Sequence, residues 1–292
     1  MEKNVMKNAA KLHVTIAGFI LALFAASCSS SPKNPADVYA QRSQAESMLE
    51  MGNKEADRGN YETAMSIIND SKRLAILVDD SSLRVRTGLS LGNVLFNTGM
   101  REEAFAEWDT ALTEAETRGT PELAAASRVH IARGNLLSGE MEAQQVIDQV
   151  NKELGTIKSD QLYIAFSWLV IGLSQRELGL YREAEASVRR SLEIHEKGLN
   201  LEQASYDWFL IASIRSLSGN YDGAIQALQS AIVLDRRIEN SWGLATDWRA
   251  LGDVNKKAGK DAESREAYLR AASIFRAMGN DTDAREMERR AE

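Results

Sequence analysis

The sequence predicts an all-α solenoid of six helix-turn-helix units, each 40 residues long, with a C-terminal capping helix, and three observations predict it. Glycines stand at Gly59, Gly99, Gly139, Gly179, Gly219 and Gly259, a constant step of 40 residues. Other slots keep the same step: seven residues before each glycine comes Gly52, Gly92, Ala132, Gly172, Ala212 or Gly252, and five after it Ala64, Ala104, Gln144, Ala184, Ala224 or Ser264. The only prolines are Pro32, Pro35 and Pro121, so helices are free to run from Glu122 onward. A period of this length marks a supersecondary unit that buries its apolar flank only against its neighbours.

Residues 1–27 read as an export signal outside the fold. Lys3, Lys7 and Lys11 form a basic leader before the apolar run from Val14 to Ala26. That run has 13 residues, whereas a membrane span needs roughly 20. The only cysteine, Cys28, stands where such a signal is cut, with small residues before it and Ser29-Ser30-Ser31-Pro32 after it. This resembles the lipobox of bacterial lipoproteins, with Ala25 where leucine is usual. The resemblance implies that Cys28 carries a diacylglycerol and becomes the new N-terminus. Residues 28–44 then form the lipidated end and a flexible tether. Ser29 after the cysteine implies delivery to the periplasmic face of the outer membrane where two membranes exist. Loss of residues 1–27 removes three lysines and Glu2, leaving a net charge of −9. Such an acidic body excludes phosphate-backbone recognition of nucleic acid and leaves lipid as the only contact with a membrane.

The hairpins follow as residues 45–84, 85–124, 125–164, 165–204, 205–244 and 245–279. In each, the first helix ends at the ladder glycine, which supplies a left-handed backbone without steric cost. The small residue seven before it admits the partner helix. Trp168 and Ile171, Trp208 and Ile211, and Trp248 and Leu251 share one helical face and are expected in the core. Trp108 is expected buried in a second helix, and Trp242 is placed in a loop as an exposed contact. The third hairpin is degenerate, with Gln144 at the alanine slot and Arg128 at the tryptophan slot, and the array is expected to bend or loosen there. Residues 280–292 are polar and helix-prone, as a solvating cap should be.

Trp168-Leu169-Val170-Ile171-Gly172 followed by Gly179-Leu180-Tyr181-Arg182-Glu183-Ala184, with Gly59-Asn60-Tyr61-Glu62-Thr63-Ala64 and Gly219-Asn220-Tyr221-Asp222-Gly223-Ala224, resembles the tetratricopeptide repeat in a lengthened variant. The resemblance implies a right-handed superhelix whose first helices line a concave wall that grips other proteins. Transferred position by position, it nominates Arg86, Leu89, Asn93, Phe96, Val129, Arg133, Leu136, Phe166, Leu169, Leu173, Arg176, Tyr206, Phe209, Arg249 and Asp253. Arginine and aromatic anchors are the usual carriers of binding energy. The family's clamp for C-terminal carboxylates is not expected, because Leu49 and Leu89 stand where a lysine or asparagine is wanted beside Asn53 and Asn93.

Catalytic and metal constellations are missing from the sequence. His130 and His195 are 65 residues apart on different hairpins and read as structural. His195-Glu196 lacks the second histidine of a zinc-protease helix, and there is no phosphate-cradling Gly-Lys-Ser/Thr loop. Asp79-Asp80 and Asp281-Thr282-Asp283 read as a loop and an N-cap. The expectation is therefore a non-enzymatic, membrane-anchored scaffold for protein–protein contacts in the cell envelope, without cofactor or metal. The alternative is an accessory subunit of a transport system that docks a solute-binding protein or holds an apolar ligand.

Overall fold

The structure, a computed structural model, describes residues 40–292. Cys28 and the export signal lie outside the described residues, as does most of the expected tether. Among the described residues there are thirteen helices and no strand. In chain order they are α1 (Ala40–Asp57), α2 (Tyr61–Leu77), α3 (Ser81–Asn97), α4 (Arg101–Thr117), α5 (Pro121–Ser138), α6 (Ala143–Leu154) and α7 (Gln161–Glu177). They continue as α8 (Tyr181–Gly198), α9 (Leu201–Leu217), α10 (Tyr221–Arg237), α11 (Ser241–Lys257), α12 (Asp261–Ala277) and α13 (Asp281–Ala291). None is long and apolar enough to cross a membrane.

Odd- and even-numbered helices pair as six antiparallel hairpins, and α13 packs on α12. All six ladder glycines adopt positive φ, from +72° at Gly259 to +86° at Gly99. The small slots work by contact: a Cβ on Gly172 would come within 2.6 Å of Val188 Cγ2, and one on Gly252 equally close to Tyr268. At Gly92 the same space is taken by the Trp108 indole. Trp108 is wholly buried and donates from Nε1 to the Leu89 carbonyl at 3.3 Å. The largest buried cluster runs from Val129 on α5 to Ala267 on α12, so the core is continuous across hairpins.

Three expectations need correction. Residues 40–44, expected in a tether, are helical: α1 already begins at Ala40, and Arg42 pairs with Glu46 (3.5 Å) and Asp80 (2.9 Å). The third hairpin departs from the ladder by a shortened second helix. Its α6 has 12 residues, and the chain beyond is tied down by Glu122, whose carboxylate accepts from the Lys158 and Ser159 amides at 2.6 and 2.9 Å. Arg128 fills the tryptophan slot by pairing with Glu153 (3.2 Å) and Glu116 (2.5 Å). The repeated tryptophans Trp168, Trp208 and Trp248 are half-buried, and the first and last are capped by Arg190 and Arg270 guanidinia at 4.2 and 4.6 Å from the ring centres. Trp242 is the second residue of α11 rather than a loop residue, and it packs edge-on against Phe275 at 5.8 Å.

The capping helix buries Ala284, Met287 and Ala291 beside Tyr268 and Phe275, leaving its charged face to solvent. Its N-cap is Asn280, whose side chain accepts from the Asp283 amide at 3.1 Å. Asp80 caps α3 in the same way through the Leu83 amide at 2.9 Å.

Candidate functional site: the inner wall of the solenoid

Odd-numbered helices of neighbouring hairpins touch along one side of the array, α3 with α5, α5 with α7, and α9 with α11, and this side is called the wall below. Side chains reach along this wall across more than one hairpin. The Arg133 guanidinium on α5 comes near enough to the Tyr206 hydroxyl on α9 to be influenced by it. Burial pulls the Arg133 pKa below that of a free guanidinium, while Tyr206 offsets this in part. Arg133 also lies over the Phe96 ring at 6.0 Å, and Tyr206 stacks nearly parallel on Phe209 at 6.3 Å. Arg133 has no carboxylate partner among the described residues.

Beneath this layer the wall is held by neutral polar and aromatic contacts. His130 stacks on Phe166 with ring centres 4.2 Å apart and faces the Tyr163 ring edge-on at 6.4 Å. Burial, with the Arg133 charge added, drives its pKa down to about 3, so the imidazole is neutral and its Nδ1 donates to Asn93 Oδ1 at 3.0 Å. Phe96 sits against Trp108 at 5.6 Å and against Phe105 at 6.4 Å.

The nominated residues therefore divide. Arg86 and Tyr206 are exposed, while Asn93, Phe96, Arg133, Phe166, Phe209, Arg249 and Asp253 are half-buried on the wall. Leu89, Leu169 and Leu173 were expected to face a partner, but they are only 2, 6 and 4% exposed, because the wall helices pack closely enough to enclose their aliphatic side chains between hairpins. Val129 is buried likewise, and Leu136 leans on the central core. Asn93 and Phe166 are committed to His130. Arg176 pairs with Glu177 at 2.9 Å at the end of α7, and Asp253 accepts from Tyr268 at 2.6 Å and pairs with Arg290 at 3.1 Å. The nominated residues left without an ion-pair or buried-core commitment are Arg86, Phe96, Arg133, Tyr206, Phe209 and Arg249. Leu49 is buried.

Two further features escaped the sequence reading. The first is a polar slot between hairpins that repeats with the ladder. His195 Nδ1 lies 2.7 Å from Asp207 Oδ2, and Ser191 donates to the other oxygen at 3.2 Å. One step on, the same positions hold Asp235 and Asp247, both buried. Burial, reinforced by Asp235, pushes Asp247 up to about 9, and the protonated carboxyl hydrogen-bonds Asp235, which also accepts from Asn240 at 3.0 Å. The second is a contact between hairpins remote in sequence: Gln203 Nε2 on α9 donates to Asp57 Oδ2 at 3.1 Å, and a Cβ on Gly59 would lie 3.0 Å from the Trp242 ring. Nothing local in the sequence separates Gly59 from the other ladder glycines. Among the described residues no group of three His, Cys, Asp or Glu side chains could hold a metal ion. The groove between α10, α11 and α12, lined by Ile232, Val233 and Trp248, is open and rimmed with Arg236, Lys260, Glu266 and Arg270.

No protein-family profile matches the chain, and no curated relative matches it in sequence. Solved structures do match in fold. The Rap protein complexed with Competence and Sporulation Factor superposes with a TM-score of 0.57 at 18% identity, over 85% of this chain and 74% of that one. A kinesin light chain from Podosopora anserina, described by its nearly identical TPR-like repeats, gives 0.52 at 15% identity over 68% and 97%. PilW, a type IV pilus biogenesis factor, gives 0.52 at 14% identity over 83% and 97%. The fold is that of a tetratricopeptide-repeat solenoid.

Proposed function

We propose that this chain is a protein-interaction scaffold, tethered by lipid at Cys28 in the cell envelope, whose hollow holds a segment of a partner protein. The observation that carries the reading is the Arg133–Tyr206–Phe209 layer. It is an unpaired guanidinium flanked by flat aromatic surfaces on the inside of a repeat wall, where desolvated contacts contribute most. Of the solved structures with this fold, Rap is complexed with Competence and Sporulation Factor, and PilW is a type IV pilus biogenesis factor. His130 is held neutral against Phe166 and Asn93, which suits a recognition wall.

The test is site-specific photocrosslinking in intact envelopes, with a photoreactive phenylalanine at Tyr206 or at Val233, which is 61% exposed and lines the groove outside the wall. A discrete protein adduct should form from position 206 and not from 233. Adducts from 233 alone would overturn the reading.

A further inference from the structure

Two guanidinia share one ring on the wall. Arg133 on α5 and Arg101 at the start of α4 lie 6.0 and 5.9 Å from the centre of the Phe96 ring on α3. Neither has a carboxylate partner among the described residues, although the chain is acidic, with a net charge of −7. Other arginines of the same wall helices do find partners: Arg84 on α3 pairs with Glu114 at 3.3 Å, and Arg128 on α5 with Glu153 at 3.2 Å. Arg101 is exposed, but Arg133 is half-buried. A guanidinium withdrawn from water is ordinarily met by a counter-charge, because leaving it alone forfeits hydration without return. His130 beneath it is neutral and supplies none.

We propose that the segment held on the wall is acidic: a side-chain carboxylate of the partner binds Arg133 and Arg101 at the Phe96 ring, and a neighbouring apolar side chain lies on Tyr206 and Phe209. The proposal rests on the reading of the wall as the partner site and names the chemistry of that partner. A planar carboxylate matches the fork of a guanidinium, and the bond strengthens where water is excluded. The Tyr206 and Phe209 rings, 6.3 Å apart, prolong the site by about two residues of extended chain. The wall continues on both sides of Arg133, through Arg86 on α3 and Phe209 on α9, so the carboxylate belongs to a passing segment rather than to a chain end. Arg86 is exposed and also unpaired among the described residues, which adds positive charge along the path.

The probe is a library of random dodecapeptides displayed on phage without a free C-terminus and selected on the purified full chain in detergent. Enriched peptides should carry Asp or Glu about two residues from Phe, Tyr, Trp or Leu. One of them, synthesised with an amidated end, should bind Arg133→Met roughly tenfold or more weakly than the parent, and Arg101→Gln should weaken it in the same direction. Salt should weaken binding to the parent more than to Arg133→Met. Arg133→Met should melt no lower than the parent, since it removes an unpaired charge from a half-buried place. A lower melting temperature would make Arg133 a structural residue and overturn the proposal. Enrichment of neutral peptides, or acidic peptides that hold Arg133→Met as tightly as the parent, would overturn the acidic occupant and leave the wall standing as a partner site. No enrichment over the bare phage coat would overturn both.

Discussion

At the scale of the residue, the slot between neighbouring hairpins shows how one ladder position changes its chemistry. His195 and Asp207 form a hydrogen-bonded pair. At the next step the histidine position is Asp235, and two carboxyl groups are left facing each other out of water. The pair persists because Asp247 keeps its proton. Its pKa in the fold stands above the ordinary 3.8, at about 9, so the stabilisation it brings is present in acid and is lost as pH climbs through 9. The melting temperature should therefore fall between pH 6 and pH 10, and Asp247→Asn, which keeps the donor and removes the charge, should fall less steeply over the same range. An equal slope in both proteins would refute the shared proton. His130 has the opposite sign: its neutral form is the one the fold holds, so it adds nothing to alkaline loss.

At the scale of the element, each hairpin depends on a close approach seven residues before its turn. At Gly172 the space for a Cβ is already occupied by Val188 and the Ala184 carbonyl. Gly172→Val should overfill that contact and cost roughly 1–3 kcal/mol, read as a lowered chemical-denaturation midpoint. No change in midpoint would count against the contact. This part of the fold was legible in the sequence, because glycine at a left-handed turn and glycine under a large side chain are both local necessities that a strict period exposes. Helix starts were less legible: Asp79-Asp80 reads as a loop, yet Asp80 caps α3, and α13 is capped by Asn280 rather than from within Asp281-Thr282-Asp283. The partner-facing residues were also less legible. Leu89, Leu169 and Leu173 share the helical phase of the wall, yet phase alone does not say how closely the next hairpin packs. The tryptophan slot misled in a similar way, since a half-buried indole under an arginine and a wholly buried one have the same spacing.

At the scale of the whole molecule, the contact of Gly59 with Trp242 could not be read from the sequence, because it depends on the summed rotation of several hairpins, each small and none encoded at a single residue. It has a consequence for cooperativity. An open array of repeats is stabilised by nearest neighbours, so its terminal units fray first. Here the first unit also leans on the fifth and sixth, which turns a line of couplings into a circuit. The weakest link then moves inward, to the third hairpin with its 12-residue α6. Native-state hydrogen exchange at pH 5.5 should show the amides of α6 opening before those of α1, and the reverse order would mean that the ends behave as free ends. A break at the centre of such a circuit separates two blocks that remain joined through the remote contact, so partial melting would widen the molecule like a clasped bracelet coming apart opposite its fastening.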